Sequence, residues 1–281
     1  MKKYLTLIKF SHTIFAMPFA LIGFFLAAKS HPFEWITLMY VVLCMVFARS
    51  AAMAFNRYID RDIDKANERT SKIREIPNGS ITAQNALIFV IINVLLFVTT
   101  TYLINMICFA LSPVALIIIL GYSYTKRFTA LCHLVLGLGL ALAPLGAYLA
   151  VTGFFDIIPI LFSIAVLFWV SGFDIIYALQ DEKFDKLEKL HSIPVLIGIK
   201  NALKLSTLLH LTSIIILAFA GNLALFGKWY WIGFTFFAIL LFYQHTLVKH
   251  NDLSKINLAF FTTNGIGSLI FGAFVIFEIL S

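Results

Sequence analysis

Nine apolar runs, at about 12–28, 34–56, 85–104, 106–124, 131–151, 157–178, 202–221, 229–248 and 257–279, constrain this chain more than any other feature. Each approaches the roughly 20 residues that a helix needs to cross a bilayer, where every backbone polar group must be satisfied internally. Nine spans of that length would take about 180 of the 281 residues and exclude a large water-soluble domain. Composition agrees: 61% of residues are hydrophobic and 12% charged, against roughly 45–50% and about 25% in soluble domains. The reading is an all-α, polytopic membrane protein of about nine transmembrane helices in one bundle, a single domain over residues 1–281. The first run extends beyond a signal-peptide core and lacks a convincing small-residue cleavage site, so it is expected to stay in the mature chain.

Charge sets the orientation. With the N-terminus inside, eighteen of the 21 Lys and Arg residues fall on one side, Lys9 among them, and only Lys29 and Lys228 on the other. Positive loops stay cytoplasmic, so the N-terminus is expected in the cytoplasm and the C-terminus outside. The net charge of +7 is thus explained by topology, and no basic arm or recognition module points to nucleic acid. Two long polar loops, about 57–84 and 179–201, carry acids and cations together at that cytoplasmic face. Cys44, Cys108 and Cys132 stand singly in apolar runs and read as packing residues.

Within those loops the acids are patterned. Asn56, Asp60 and Asp64 are spaced i, i+4, i+8, which puts them on one face if the second span continues as a helix. Asp174, Asp181 and Asp185 repeat the device, with Tyr177 four residues before Asp181 as Asn56 is before Asp60. Facing carboxylates repel unless cations lie between them, and hard oxygen ligands with room for water suit Mg²⁺ carrying a phosphorylated substrate. Arg69, Lys72, Arg74, Lys126 and Arg127 are placed to hold phosphate oxygens. For Lys65, Glu68, Lys183 and Lys186 simple solvation of the loops is the better account. Arg49 is different, because a charge deep in a span costs roughly 2.5–3.5 kcal/mol on insertion scales and normally marks a site. It lies seven residues before Asn56, about 10 Å lower on nearly the same helix face. His12, His31, His133, His210, His245 and His250 lack metal-binding spacing and read as interfacial or hydrogen-bonded residues, while His191 is close enough to the second motif to reach a phosphate.

These segments also carry a family resemblance. NRYIDRDIDKANERTSKIREIPNGSIT (56–82) resembles the first signature of the UbiA superfamily of intramembrane prenyltransferases, NDxxDxxxD followed by RT, an Arg and a P-x-G turn. DIIYALQDEKFDKLEKLHSIP (174–194) resembles the second, DxxYAxxDxxxD with a downstream S-x-P. YSYTKRFT (122–129) is similar to the YPxxKRxT segment between them, and IKFSHTIFAMPFALIG (8–23) to the start of the 4-hydroxybenzoate branch. The chain departs from the pattern at Arg57, Asp62, Ser123 and His191, which leaves the acceptor open.

The resemblance implies an enzyme that transfers a polyprenyl group from an allylic diphosphate to the ring of an aromatic acid in quinone biosynthesis. The acceptor is 4-hydroxybenzoate or, alternatively, a dihydroxynaphthoate of menaquinone synthesis. By matched position it makes Asn56, Asp60, Asp64, Asp181 and Asp185 ligands of Mg²⁺ or diphosphate, with the four aspartates catalytic. It makes Arg69, Tyr122, Lys126 and Arg127 diphosphate contacts and gives Arg49 to the acceptor carboxylate; Asp174, Tyr177 and His191 complete the substrate-binding set. The expected site is a central cavity open to the cytoplasmic side, in a bacterial inner membrane. An ion-coupled transporter would need acids near the midplane, whereas these sit at one rim. A phosphatidyltransferase would need a DGxxAR-type element, which both loops lack.

Overall fold

The computed structural model describes residues 2–8 and 15–281; Lys9, His12 and most of the residues that open the 8–23 segment lie outside them. The described chain is helical: α1 Lys2–Leu7, α2 Met17–Ala28, α3 Trp35–Ile59, α4 Arg61–Ala66, α5 Glu68–Ser71, α6 Ala83–Ile104, α7 Met106–Thr125, α8 Cys132–Thr152, α9 Ile157–Ala178, α10 Glu182–Leu187, α11 Ile193–Leu223, α12 Lys228–Leu247 and α13 Asn264–Leu280, the last entered through a π-helical turn at Leu258–Thr263. All nine apolar runs contain a helix, and seven of the helices are long and apolar enough to cross a membrane. The exceptions among the nine are α2, with 12 residues, and α12, whose 20 residues include Lys228, Gln244 and His245. The chain is an integral membrane protein, with seven rather than nine helices meeting that measure.

Local chemistry starts and stops these helices. Thr82, Asn105, Asp156 and Ser192 each accept a backbone N–H from the first turn of α6, α7, α9 and α11, satisfying donors that a helix start leaves bare. The loops expected at 57–84 and 179–201 are largely helical: α3 runs on to Ile59 and is followed by α4 and α5, and α11 begins at Ile193 rather than near 202. A Ser192 cap with Pro194 in the first turn explains the early start. Gly198, at φ 77°, puts a kink inside α11 that a side chain would strain.

Two packing regimes follow. Helices α2, α9, α11, α12 and α13 enclose a core of large rings, with Trp169, Phe19, Phe162, Tyr230, Phe237 and Phe271 all fully buried. Here Trp169 Nε1 donates to Asn264 Oδ1 at 2.9 Å, and the Tyr230 hydroxyl donates to the Leu217 carbonyl at 2.6 Å. Polar ring atoms sealed from water need such partners. Helices α3, α6, α7 and α8 pack more openly around a cavity of about 340 Å³, where Ala48, Ala52, Ala115, Gly139, Ala143 and Gly146 leave space. α2 joins the regimes: a Cβ on Gly23 would stand 1.9 Å from the Pro144 carbonyl oxygen, so glycine permits its approach to α8.

Candidate active site

The first motif hangs from the end of α3. Asp60 leaves the helix with φ −87° and ψ 4°, yet its N–H still bonds to Asn56 O at 2.9 Å and Asp64 N–H to Asp60 O at 2.7 Å. Helical register therefore survives the break between α3 and α4, and Asn56 Nδ2 donates to Asp60 Oδ2 at 3.0 Å. Arg57 is buried and gives a hydrogen bond of 3.2 Å to Asn56 Oδ1. The family departure at this position thus orients the neighbouring asparagine.

Asp60, Asp64, Asp174 and Asp181 are each paired with a basic or imidazole side chain. Asp60 receives Lys126 Nζ at 2.8 Å and, more loosely, Arg127 at 3.4 Å; Arg127 also donates to the Ile59 carbonyl at 2.8 Å. Asp64 is bound by Arg74, and Thr70 donates to the Asp64 backbone carbonyl at 2.8 Å. Asp181 is clasped from across the loops: Arg69 Nε and Asn67 Nδ2 reach Asp181 Oδ1 at 3.0 and 3.1 Å, and Arg69 NH2 takes the other oxygen. Arg69 also reaches the Tyr177 hydroxyl at 3.4 Å and lies 5.7 Å from that ring's centre, while Phe260 stacks against Tyr177 at 4.3 Å. Asp185 lies within electrostatic reach of Asp181 and Lys126. Asp174, two turns below Asp181, bonds His133 Nδ1 at 2.7 Å.

The structure thus brings Asn56, Asp60, Lys126 and Arg127 into one cluster, Asp64 and Arg74 into a second, and Arg69, Tyr177 and Asp181 into a third, all on connected loops. Tyr122 lines the cavity beside Arg49 and is within electrostatic reach of Arg57, Asp60, Asp174 and Arg49, which ties the cavity to the acidic rim. Arg49 makes no ion pair among the described residues, and its buried Nε has no hydrogen-bond partner. His191 presents an exposed side chain; its backbone N–H, bonded to Lys126 O at 2.7 Å, stitches the second motif to the α7–α8 turn. Sequence reading missed Asn67, which caps α5 and crosses to Asp181, and His133; Asn67 carried an N-cap signal but nothing that announced its distant partner.

The donor set suits a hard divalent cation. Carboxylate oxygens predominate, and Asp64 Oδ2 is a buried carboxyl oxygen with no hydrogen-bond partner among the described residues. Among the described residues no three Asp, Glu, His or Cys side chains converge as a ready-made cage, because Arg69, Arg74 and Lys126 occupy the places between them. A site of this kind accepts a cation together with an anion that takes over those basic groups.

The fold and the paired acidic rim define a membrane-embedded site that suits a divalent cation together with an anionic ligand, and comparison with known proteins gives the family. The model of the UbiA prenyltransferase family matches residues 16–266. The 4-hydroxybenzoate octaprenyltransferase of Tolumonas auensis is 32% identical over 228 residues, 81% of this chain and 79% of the relative; that of Aeromonas salmonicida is 30% identical over 246 residues, 88% and 84%. The apo structure of a UbiA homologue from Aeropyrum pernix K1 superposes with a TM-score of 0.86 at 29% identity, covering 95% of this chain and 98% of that one. A UbiA homologue from Archaeoglobus fulgidus bound to GPP and Mg²⁺ shares the fold, with a TM-score of 0.77 at 24% identity over 99% and 100%. This chain belongs to the UbiA prenyltransferase family.

Proposed function

We propose that the protein transfers a polyprenyl group from an allylic polyprenyl diphosphate to the ring of 4-hydroxybenzoate in quinone biosynthesis, with Mg²⁺ as cofactor. The observation that carries this reading is the placement of two acidic motifs, interleaved with Arg69, Arg74, Lys126 and Arg127, above an apolar cavity whose wall bears Arg49. The names of the bacterial relatives supply the acceptor. Asn56, Asp60, Asp64, Asp181 and Asp185 would hold Mg²⁺, which supplies charge neutralisation to the departing diphosphate. Arg69, Lys126 and Arg127 bind phosphate oxygens, exchanging the carboxylates they hold here for the substrate, and Tyr122 adds a contact from the cavity wall. The cavity takes the prenyl tail and keeps water from the cation-like allylic carbon, while Arg49 orients the aromatic acid through its carboxylate. Asp174, Tyr177 and His191 are assigned to substrate binding by their place in the second motif.

The test is a membrane-fraction assay with labelled polyprenyl diphosphate, with Mg²⁺ or with EDTA. Ring-prenylated hydroxybenzoate formed only with the metal supports the reading; equal rates with EDTA remove the metal, and product only from a dihydroxynaphthoate moves the acceptor to that alternative. The proposed setting is the bacterial inner membrane with the N-terminus inside and the C-terminus outside, in one domain. Cysteines at Asn78 and Asp185 should then label from the cytoplasmic side and one at Gly227 from the other. Labelling of the first two from opposite sides would separate the motifs.

A further inference from the structure

His133 stands outside every motif, on the first turn of α8, yet it makes a buried polar contact with the second one. Its ring is 3% exposed. Nε2 faces the Ile193 N–H at 3.3 Å and must accept from it, so the proton of a neutral imidazole lies on Nδ1, which points at Asp174 Oδ2 at 2.7 Å. Ser171 donates to the His133 carbonyl at 3.2 Å and fixes the backbone from the same helix that carries Asp174. The imidazole therefore joins three elements, α8, α9 and the start of α11, and offers Asp174 one oriented N–H. Asp174 needs it, because a carboxylate inside a helical span is stable only with a donor. Its side chain is 21% exposed, leaving the remaining carboxylate edge accessible.

The depth of Asp174 indicates what that edge faces. It lies seven residues before Asp181 and Arg49 eleven before Asp60, so they stand about 10 and about 16 Å below the matching aspartates. Tyr122 is within electrostatic reach of both. A cation in the cavity wall and an anion nearer the rim, both within reach of the cavity-lining Tyr122, match the two polar ends of a hydroxy-substituted aromatic acid: a carboxylate for Arg49, and a hydroxyl proton for Asp174.

We propose that His133 is a positioning residue that holds the Asp174 carboxyl aimed to accept a hydrogen bond from the ring hydroxyl of the acceptor. That bond strengthens as positive charge develops on the hydroxyl during attack by the neighbouring ring carbon, so it acts on the transition state more than on binding. The proposal rests on the aromatic-acid reading given above.

The experiment compares His133→Ala, His133→Asn, His133→Gln and Asp174→Asn with the parent, measuring kcat, both KM values and thermal stability in detergent. The Asn amide nitrogen can overlay Nδ1 and restore the donor to Asp174, whereas Gln reaches the Nε2 position and restores only the acceptor for Ile193. Asp174→Asn should lower kcat about 100-fold, and His133→Ala and His133→Gln about 30-fold, with the prenyl diphosphate KM within about twofold of the parent. His133→Asn should recover to within about threefold of the parent. Recovery by Gln instead of Asn would mean that the Ile193 tether is what matters and would overturn the proposal. So would unchanged kcat in all variants, or a joint loss of stability, diphosphate KM and kcat in the Ala and Asn variants alike. A parent enzyme that prenylates no hydroxybenzoic acid would overturn the functional reading and this inference with it; a parent that does so, beside variants without the Asn–Gln split, would overturn the inference alone.

Discussion

Asp60 and Asp64 are 1% and 3% exposed, each closed on basic side chains, whereas the Asp181 side chain keeps a fifth of its surface open and is held from across the loops by Arg69. The two motifs have the same residue types at similar spacing, and they occupy different environments: α3 runs to the residue before Asp60, while α9 ends three residues before Asp181. A buried carboxylate depends on its partner for the stability of the fold; a half-exposed one is freer to change partners. The first motif is thus part of the scaffold, and under the proposed function the second is the side from which a substrate would be exchanged.

The largest expected effect tests whether both motifs serve one reaction. Asp60→Ala and Asp181→Ala should each lower turnover by at least about 10³-fold, the order of loss when a principal stabiliser of developing charge is removed. Near-parent activity in either variant, measured on purified folded protein, would break the equivalence of the motifs in function. Stability should instead separate them. Arg74→Ala leaves the nearly sealed Asp64 carboxylate without its cation and should cost about 3 kcal/mol, while Arg69→Ala, at a pair with side chains 34% and 20% exposed, should cost about 1 kcal/mol or less. Thermal melts of the two variants in one detergent check the contrast, and equal losses would dissolve it.

Arg49→Lys sharpens the comparison from below the motifs. An ammonium cannot reproduce the forked contact of a guanidinium with a carboxylate, so the acceptor KM should rise about tenfold while the prenyl diphosphate KM stays nearly unchanged. A selective loss of diphosphate affinity would place Arg49 in the other half of the site. The smallest effect is expected at Asn67→Ala, which removes one helix cap and one bond to Asp181, and should cost about 1 kcal/mol with a modest fall in turnover. A fall as large as that of Asp181→Ala would show that the cap, and not the arginine, positions the second motif.

Legibility from sequence followed the range of the interactions. The helices were legible because lipid imposes a local rule, an apolar run of fixed length, and the acidic motifs because i, i+4 spacing is itself local. Their ends were less so. Ser192 and Pro194 start α11 well before its apolar stretch begins, and short polar helices α4, α5 and α10 fill what composition alone describes as loop. His133 read as an ordinary hydrogen-bonded histidine, which it is, but its partner lies 41 residues away. The His210–His245 pair, 2.8 Å apart across α11 and α12, was equally hidden by a separation of 35 residues.

By itself, then, the sequence determined that the chain lives in a membrane, that its acids and cations gather at one face, and that Arg49 lies beneath them, since each follows from the cost of placing charge in hydrocarbon. Only the tertiary structure decided which cation closes on which carboxylate, that small residues on α3, α7 and α8 leave a cavity where large rings on α2, α9 and α13 pack into a buried core, and that His133 belongs to the second motif. Those outcomes depend on how helices distant in sequence approach one another, and packing is set by the shapes of both partners together, which no single stretch of sequence contains.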